Sequence, residues 1–190
     1  MMESVARMGS RPVSLPLVAD DVVEFHAARL LLLFELCGVA GRIDGLTKMA
    51  KLDFFVRYPE FYALARGIAT SGPNAPAFRS ADSHTVESVM IRHHYGPWDK
   101  RYYQVLAHLE SRGLITVGTK GKQYRIALTP LGRDKAQALA SEMCFIELAD
   151  RMRDVKKVFG TKSGSALKNL VYELFDEEVG QLPLGKEIRQ

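Results

Sequence analysis

Cysteine is scarce in this chain, with only Cys37 and Cys144 among 190 residues, far apart and each in an apolar context. Two such thiols do not build a disulfide framework or a Cys-rich metal site. They are expected to be buried free thiols in a reducing compartment, the cytoplasm. Long apolar runs are missing as well. The most apolar stretch, Leu30 to Phe34, is bounded at once by Arg29 and Glu35, whereas a spanning helix needs ~20 residues. The first nineteen residues hold arginines but no continuous apolar core, so neither a secretory signal nor a membrane partner is expected. The patterns of several catalytic families are absent too. There is no G-x-x-x-x-G-K-[ST], no G-x-S-x-G and no H-E-x-x-H. The nearest approach to a phosphate loop, GTKSGSALK from Gly160 to Lys168, lacks the Gly-Lys-Ser/Thr ending and a preceding strand, and reads as a helix cap. No catalytic residue, metal or cofactor is expected.

The composition that is present, 47% hydrophobic and 25% charged, is that of a globular domain able to bury a core. The net charge of +4 is small, but it is unevenly spread. From Val86 to Lys135 nine bases face four acids (Glu87, Asp99, Glu110 and Asp134), which leaves the remainder about neutral. Such a window either attracts phosphate or is a solvated polar face, and charge alone does not choose.

Residues 1–19, with Gly9, Pro12 and Pro16 and no helical period, predict a flexible or extended arm. Asp20 or Asp21 is placed to cap a first helix ending at Cys37, apolar on most sides in its second half and therefore central. Leu46, Met49, Leu52, Phe55 and Val56 give a second helix one apolar stripe, with Lys48, Lys51 and Arg57 mostly off it. Pro59 should break that helix near Tyr58 and start a shorter one. Residues 70–84 read as a loop, and the ten residues Val86 to Tyr95 do not decide between helix and strand.

In HHYGPWDKRYY, His93 to Tyr103, two adjacent histidines diverge in either a strand or a helix. A metal pair on a helix wants i, i+4 spacing. The stretch therefore reads as a structural turn formed by Tyr95, Gly96, Pro97, Trp98 and Asp99, with Tyr95 and Trp98 bracing it and Asp99 capping the next helix. That helix runs from Lys100 to Arg112, turns Tyr102, Val105, Leu106 and Leu109 inward, and closes at Gly113. Lys100 and Arg101 are left facing outward, with Gln104, His108 and Arg112 along the helix. These are candidates for contact with phosphates, base edges or a partner. A β-hairpin follows, Leu114–Val117 and Tyr124–Leu128, with Gly118 to Gly121 at its tip and Lys120, Lys122 and Arg125 as further candidates. Thr129 caps and Pro130 opens the next helix. It continues through Phe145 to Met152, whole or broken near Ser141. Ser163 or Ser165 caps a last helix with Leu167, Leu170, Val171, Leu174 and Phe175 as its stripe.

The order of helices, basic hairpin and helix is that of a winged helix-turn-helix. LESRGLITVGTKGKQYRIALTPLGRDKA resembles the helix–wing–helix segment of MarR- and PadR-like proteins. The fold expected is mainly α with a small β-hairpin: a winged-helix core over residues 20–140 with additional C-terminal helices over 141–190. LTKMAKLDFFVRYPEFY and ESVMIRHHYGPWDKRYYQVLAHLESRGLI together resemble the small middle components of prokaryotic ABC-three-component defence systems, Lamassu-type systems among them. That resemblance implies a non-enzymatic subunit beside an SMC- or Rad50-like ATPase and an effector subunit, with double-stranded DNA as a further partner. The alternative is a dimeric winged-helix transcriptional regulator, a homodimer through its C-terminal helices.

Overall fold

A computed structural model of the chain describes residues 22–71 and 90–188. The arm expected over residues 1–19, the caps at Asp20 and Asp21, and the loop from residue 72 onward lie outside the described residues. Helix α1, Val23–Cys37, starts from Val22, which is extended and has no side-chain cap, and stops at Gly38. Strand β1, Arg42–Asp44, follows. Helices α2, Leu46–Arg57, and α3, Pro59–Ser71, are separated at Tyr58 as Pro59 requires, and α3 takes in Thr70 and Ser71 from the expected loop.

The His93–Tyr103 stretch differs from its sequence reading. Strands β2, Ile91–His93, and β3, Gly96–Trp98, pair antiparallel, so His94 and Tyr95 make the turn and Gly-Pro-Trp is strand. Pro97 is tolerated because this ribbon has only two strands. Helix α4, Tyr102–Ser111, begins two residues after Lys100, and Gly113 (φ +66°) closes it.

Strands β4, Ile115–Lys120, and β5, Gln123–Leu128, form the expected hairpin, but it is longer than the residue types suggested. Its turn is Gly121–Lys122, not Gly118–Gly121. Gly121 sits at φ +62°, which suits the first central position of a tight two-residue turn. β1 adds to β5, so the sheet order is β1-β5-β4. Helix α5, Pro130–Ser141, is capped by the Thr129 hydroxyl accepting from the Gly132 amide. The chain breaks at Glu142, passes a short 3-10 turn, and continues as α6, Ile146–Phe159. Ser163 caps α7, Gly164–Leu174. A π-helical turn, Asp176–Gly180, leads to a tail whose Lys186 and Ile188 bond to Arg92 and Met90 beside β2. The described residues thus hold seven α-helices, a small three-stranded antiparallel sheet and a two-stranded ribbon. No helix among them is long and apolar enough to cross a membrane.

α1 is the axis of the core. Leu30, Leu32, Leu33 and Phe34 have no exposed surface, and α4, α5 and α6 pack around them. α6 lays Met152, Val155 and Phe159 against α1 and α2, and α7 lays Leu167 and Val171 against α2. Phe55 and Phe159 stack at 4.5 Å. Cys37 is buried, its thiol pushed up to about 12 by desolvation. Cys144, by contrast, is exposed, because the 3-10 turn at Met143–Phe145 is a corner.

Within this core lies a charged cluster that the helical stripe did not suggest. Lys51, Asp53 and Arg57 of α2 are buried, as is Arg29 of α1. Asp53 meets Arg29 at 3.2 Å and accepts the Tyr102 hydroxyl at 2.7 Å. Asp99 takes Arg57 at 2.8 Å and Arg29 at 3.5 Å, and its other oxygen accepts the Arg101 amide. Burial alone would raise the Asp99 carboxyl, but Arg57, that amide and Arg29 hold it below its usual value. Lys51 donates to the Pro97 carbonyl at 2.9 Å. Two arginines and two aspartates neutralise each other across α1, α2 and the start of α4. α4 has no side-chain cap, and Asp99, expected to cap it, instead accepts the Arg101 amide and joins the start of the helix to this cluster.

The start of the β4–β5 hairpin approaches α5 closely through the backbone. A Cβ on Gly132 would stand 1.8 Å from the Leu114 carbonyl oxygen. Gly132→Ala is expected to destabilise the chain by about 1–3 kcal/mol through overpacking, measured by urea denaturation, and an unchanged midpoint would contradict this contact.

Candidate functional site

The candidate residues divide into exposed and committed groups. Lys100, Gln104 and Arg112 are exposed on and beside α4, and Lys120 and Lys122 are exposed at the tip of the β4–β5 hairpin. His108 is half-buried. Arg101 is half-buried as well, with a guanidinium nitrogen 3.2 Å from the His26 ring of α1, so it does not share the outward position of Lys100. Arg125 is half-buried with its Nε 3.5 Å from Asp44, which Arg42 also meets at 3.2 Å. In the expected structural turn, Gly96, Pro97 and Asp99 are buried and Trp98 is half-buried. Trp98 stacks on His93 at 5.4 Å and meets Tyr102 edge-on at 5.0 Å, so it does brace the helix entrance. Tyr95 does not, being 57% exposed at the turn.

One groove joins several of these elements, with a volume of about 460 Å³, inside the range of roughly 300–1,000 Å³ typical of ligand clefts. The β4–β5 hairpin contributes Lys122, Gln123 and Tyr124, and α4 contributes Tyr103. The β2–β3 ribbon supplies His93, Tyr95 and Trp98, the start of α2 supplies Gly45–Lys48, and the start of α7 supplies Ser163, Gly164, Ser165 and Lys168. Lys100, Gln104, Arg112 and Lys120 lie outside its lining. The groove therefore ties the hairpin tip to the start of α4, while the remaining candidates spread over the outer surface.

The electrostatics of the groove are cationic. Its carboxylate, Asp44, is held by two arginines. Lys48 donates to the Gly160 carbonyl at 2.8 Å, and burial pulls its ammonium below the usual value. Behind Gly96 lies the ammonium of Lys51, lowered to about 7 by burial and then by Lys168. The His93 ring is lowered by burial, then by His94 and Lys51. Among the described residues no group of three or more His, Cys, Asp or Glu is placed to hold a metal ion.

Tyr103, Tyr124 and Lys168 were not singled out by sequence reasoning, although a signal for Tyr103 exists. With Tyr102 turned into the core, its neighbour is rotated ~100° outward on the same helix. Lys168 belongs to GTKSGSALK, whose role as a cap hid its side chain's position. Comparison of the chain with family models, curated proteins and solved structures gives no match in any of the three.

Proposed function

We propose that this chain is a non-enzymatic winged-helix subunit of a prokaryotic anti-phage defence assembly. It sits beside an SMC-like ATPase and an effector subunit, with its α4 and wing surface turned toward double-stranded DNA. The observation that carries the reading is the threading of the sheet. α1 leads to β1, β1 to α2, α4 to β4, and the hairpin returns as β5 between β4 and β1. A helix followed directly by a basic two-stranded hairpin, beside a third strand from before the helix pair, supports the winged-helix reading. In it α4 stands where a recognition helix enters the major groove. α3 and the β2–β3 ribbon are then an insertion between the two helices of the motif.

The resemblance to middle components supports the subunit part of the reading. Its two phrases, KLDFFVRYP and YGPWDKRYY, meet in space. Lys51 reaches Pro97, Asp53 reaches Tyr102 and Arg57 reaches Asp99. The regulator alternative asks the C-terminal helices to dimerise, yet the apolar faces of α6 and α7 are packed on α1 and α2 of the same chain. That favours a subunit over a dimer through those helices.

Full-length protein titrated with labelled duplex DNA is expected to bind with steep salt dependence. Lys120→Glu with Lys122→Glu should weaken binding at least tenfold at low salt and reduce the salt slope by about 2. Unchanged affinity in the double variant would remove the wing from the interface. Co-expression with an ATPase encoded beside it should give a co-purifying complex, and a well-behaved isolated chain that retains no such ATPase would defeat the subunit reading.

A further inference from the structure

Three exposed rings surround the groove at the wing tip: Tyr103 at 61%, Tyr95 at 57% and Tyr124 at 45%. Trp98 forms a wall fixed by His93 and Tyr102. Exposed aromatics converging on one cleft, rather than scattered singly, mark a surface that something covers. Lys122 and Lys168 line the same cleft, Lys168 with its ammonium 6.0 Å from the centre of the Tyr95 ring. The one acid there is already paired with two arginines. α2 and α7 both open onto the groove with no acid in their first turns, and their leading amides carry partial positive charge. His93 Nδ1 is buried and has no hydrogen-bond partner among the described residues. The occupant these groups suit is flat and aromatic at one end and anionic at the other.

We propose that this groove holds an unpaired nucleotide of single-stranded nucleic acid, its base against the tyrosines and its phosphate between Lys122 and Lys168. A continuous duplex does not fit the chemistry, because its bases are stacked on one another and present no free face to a ring. Stacking on exposed aromatics beside a lysine-lined track is how sequence-tolerant strand binding is built. The proposal rests on the nucleic-acid part of the function proposed above, since Lys122 serves both surfaces. It adds that a strand end or displaced strand is taken separately from the duplex on α4.

The test uses the chain's only tryptophan, Trp98, which lies in the groove wall. Its intrinsic emission reports occupancy without a label. Titration of the full-length protein with oligothymidylate should change Trp98 emission saturably. Tyr103→Ala with Tyr124→Ala, both at exposed positions, should weaken that binding fivefold or more, as should Lys168→Glu. Adenosine monophosphate and a blunt duplex of equal length form the other arms. Failure of the oligomer to alter emission, while the duplex binds, overturns the groove proposal and leaves the duplex surface standing. The reverse pattern overturns the duplex surface and leaves the groove. A mononucleotide that acts at the same concentration as the oligomer overturns the strand assignment.

Discussion

Asp53→Ala is expected to cost about 3–5 kcal/mol, much of the stability of an ordinary domain, because it strips the partner from charges that stay buried. Asp53 has no exposed surface. It carries the ion pair to Arg29 at 3.2 Å and the hydroxyl bond from Tyr102 at 2.7 Å, and lies 3.7 Å from Arg57. Removing it takes away one of the two aspartates that meet Arg29 and Arg57 in this cluster. The loss should appear in urea denaturation as a lower midpoint, with thermal unfolding shifted in step. Tyr102→Phe deletes one hydroxyl from the same cluster and should cost less, about 1–2 kcal/mol. If Asp53→Ala unfolds at the wild-type urea concentration, the cluster does not hold α4 and its direction must be set by apolar packing alone.

The second large effect is on pH dependence. Lys51 is buried with its ammonium lowered from 10.5 to about 7, by desolvation and then by Lys168. Below about pH 7 folded and unfolded chains both hold this proton. Between about 7 and 10.5 the unfolded chain keeps a proton that the folded chain has released, so stability rises with pH. The slope approaches 1.4 kcal/mol per unit at most. Cys37 acts in the opposite sense higher up. Its thiol is raised from 9.0 to about 12, so above pH 9 the unfolded chain ionises first and stability falls. The clean window is pH 7 to 9, over which the wild type is expected to gain about 2 kcal/mol. Lys51→Met should flatten that window. Equal slopes in both proteins would show that the ammonium is not desolvated.

Much of the helical frame was legible in the sequence, because apolar spacing, Pro59, Gly113, Thr129-Pro130 and Ser163 are local signals that tertiary contacts did not override. β1 was not legible, since a three-residue strand carries no usable period and exists only because β5 offers it an edge. The Gly-Pro-Trp segment was misread for a similar reason: Gly and Pro usually mark turns, but here they pair with Arg92 and His93 of β2. The deepest miss was the charged face of α2. Lys51, Asp53 and Arg57 look like the solvent side of an amphipathic helix until α4 and the β2–β3 ribbon supply their partners. Charge pattern along one helix cannot reveal that a second charged element will cover it. The groove was half visible. Its hairpin lysine Lys122 and Trp98 are candidates in the sequence, but Tyr103, Tyr124 and Lys168 meet them only through the fold.

The two phrases that resemble defence-system middle components supply most of the buried charged cluster. They therefore speak first to how α4 is held and only through α4 to what the protein touches. The basic window also overstates the free basic surface. Within it, Arg101 and Arg125 are half-buried and already engaged, while Lys100, Arg112, Lys120 and Lys122 face outward.

The most direct test of the winged-helix reading is amide hydrogen exchange on the full-length protein with and without duplex DNA. Added protection is expected in α4 and in the β4–β5 hairpin around Gly121–Lys122, with α5 and α6 unchanged. Protection confined to α5 and α6, with none at α4 or the hairpin, would contradict the account.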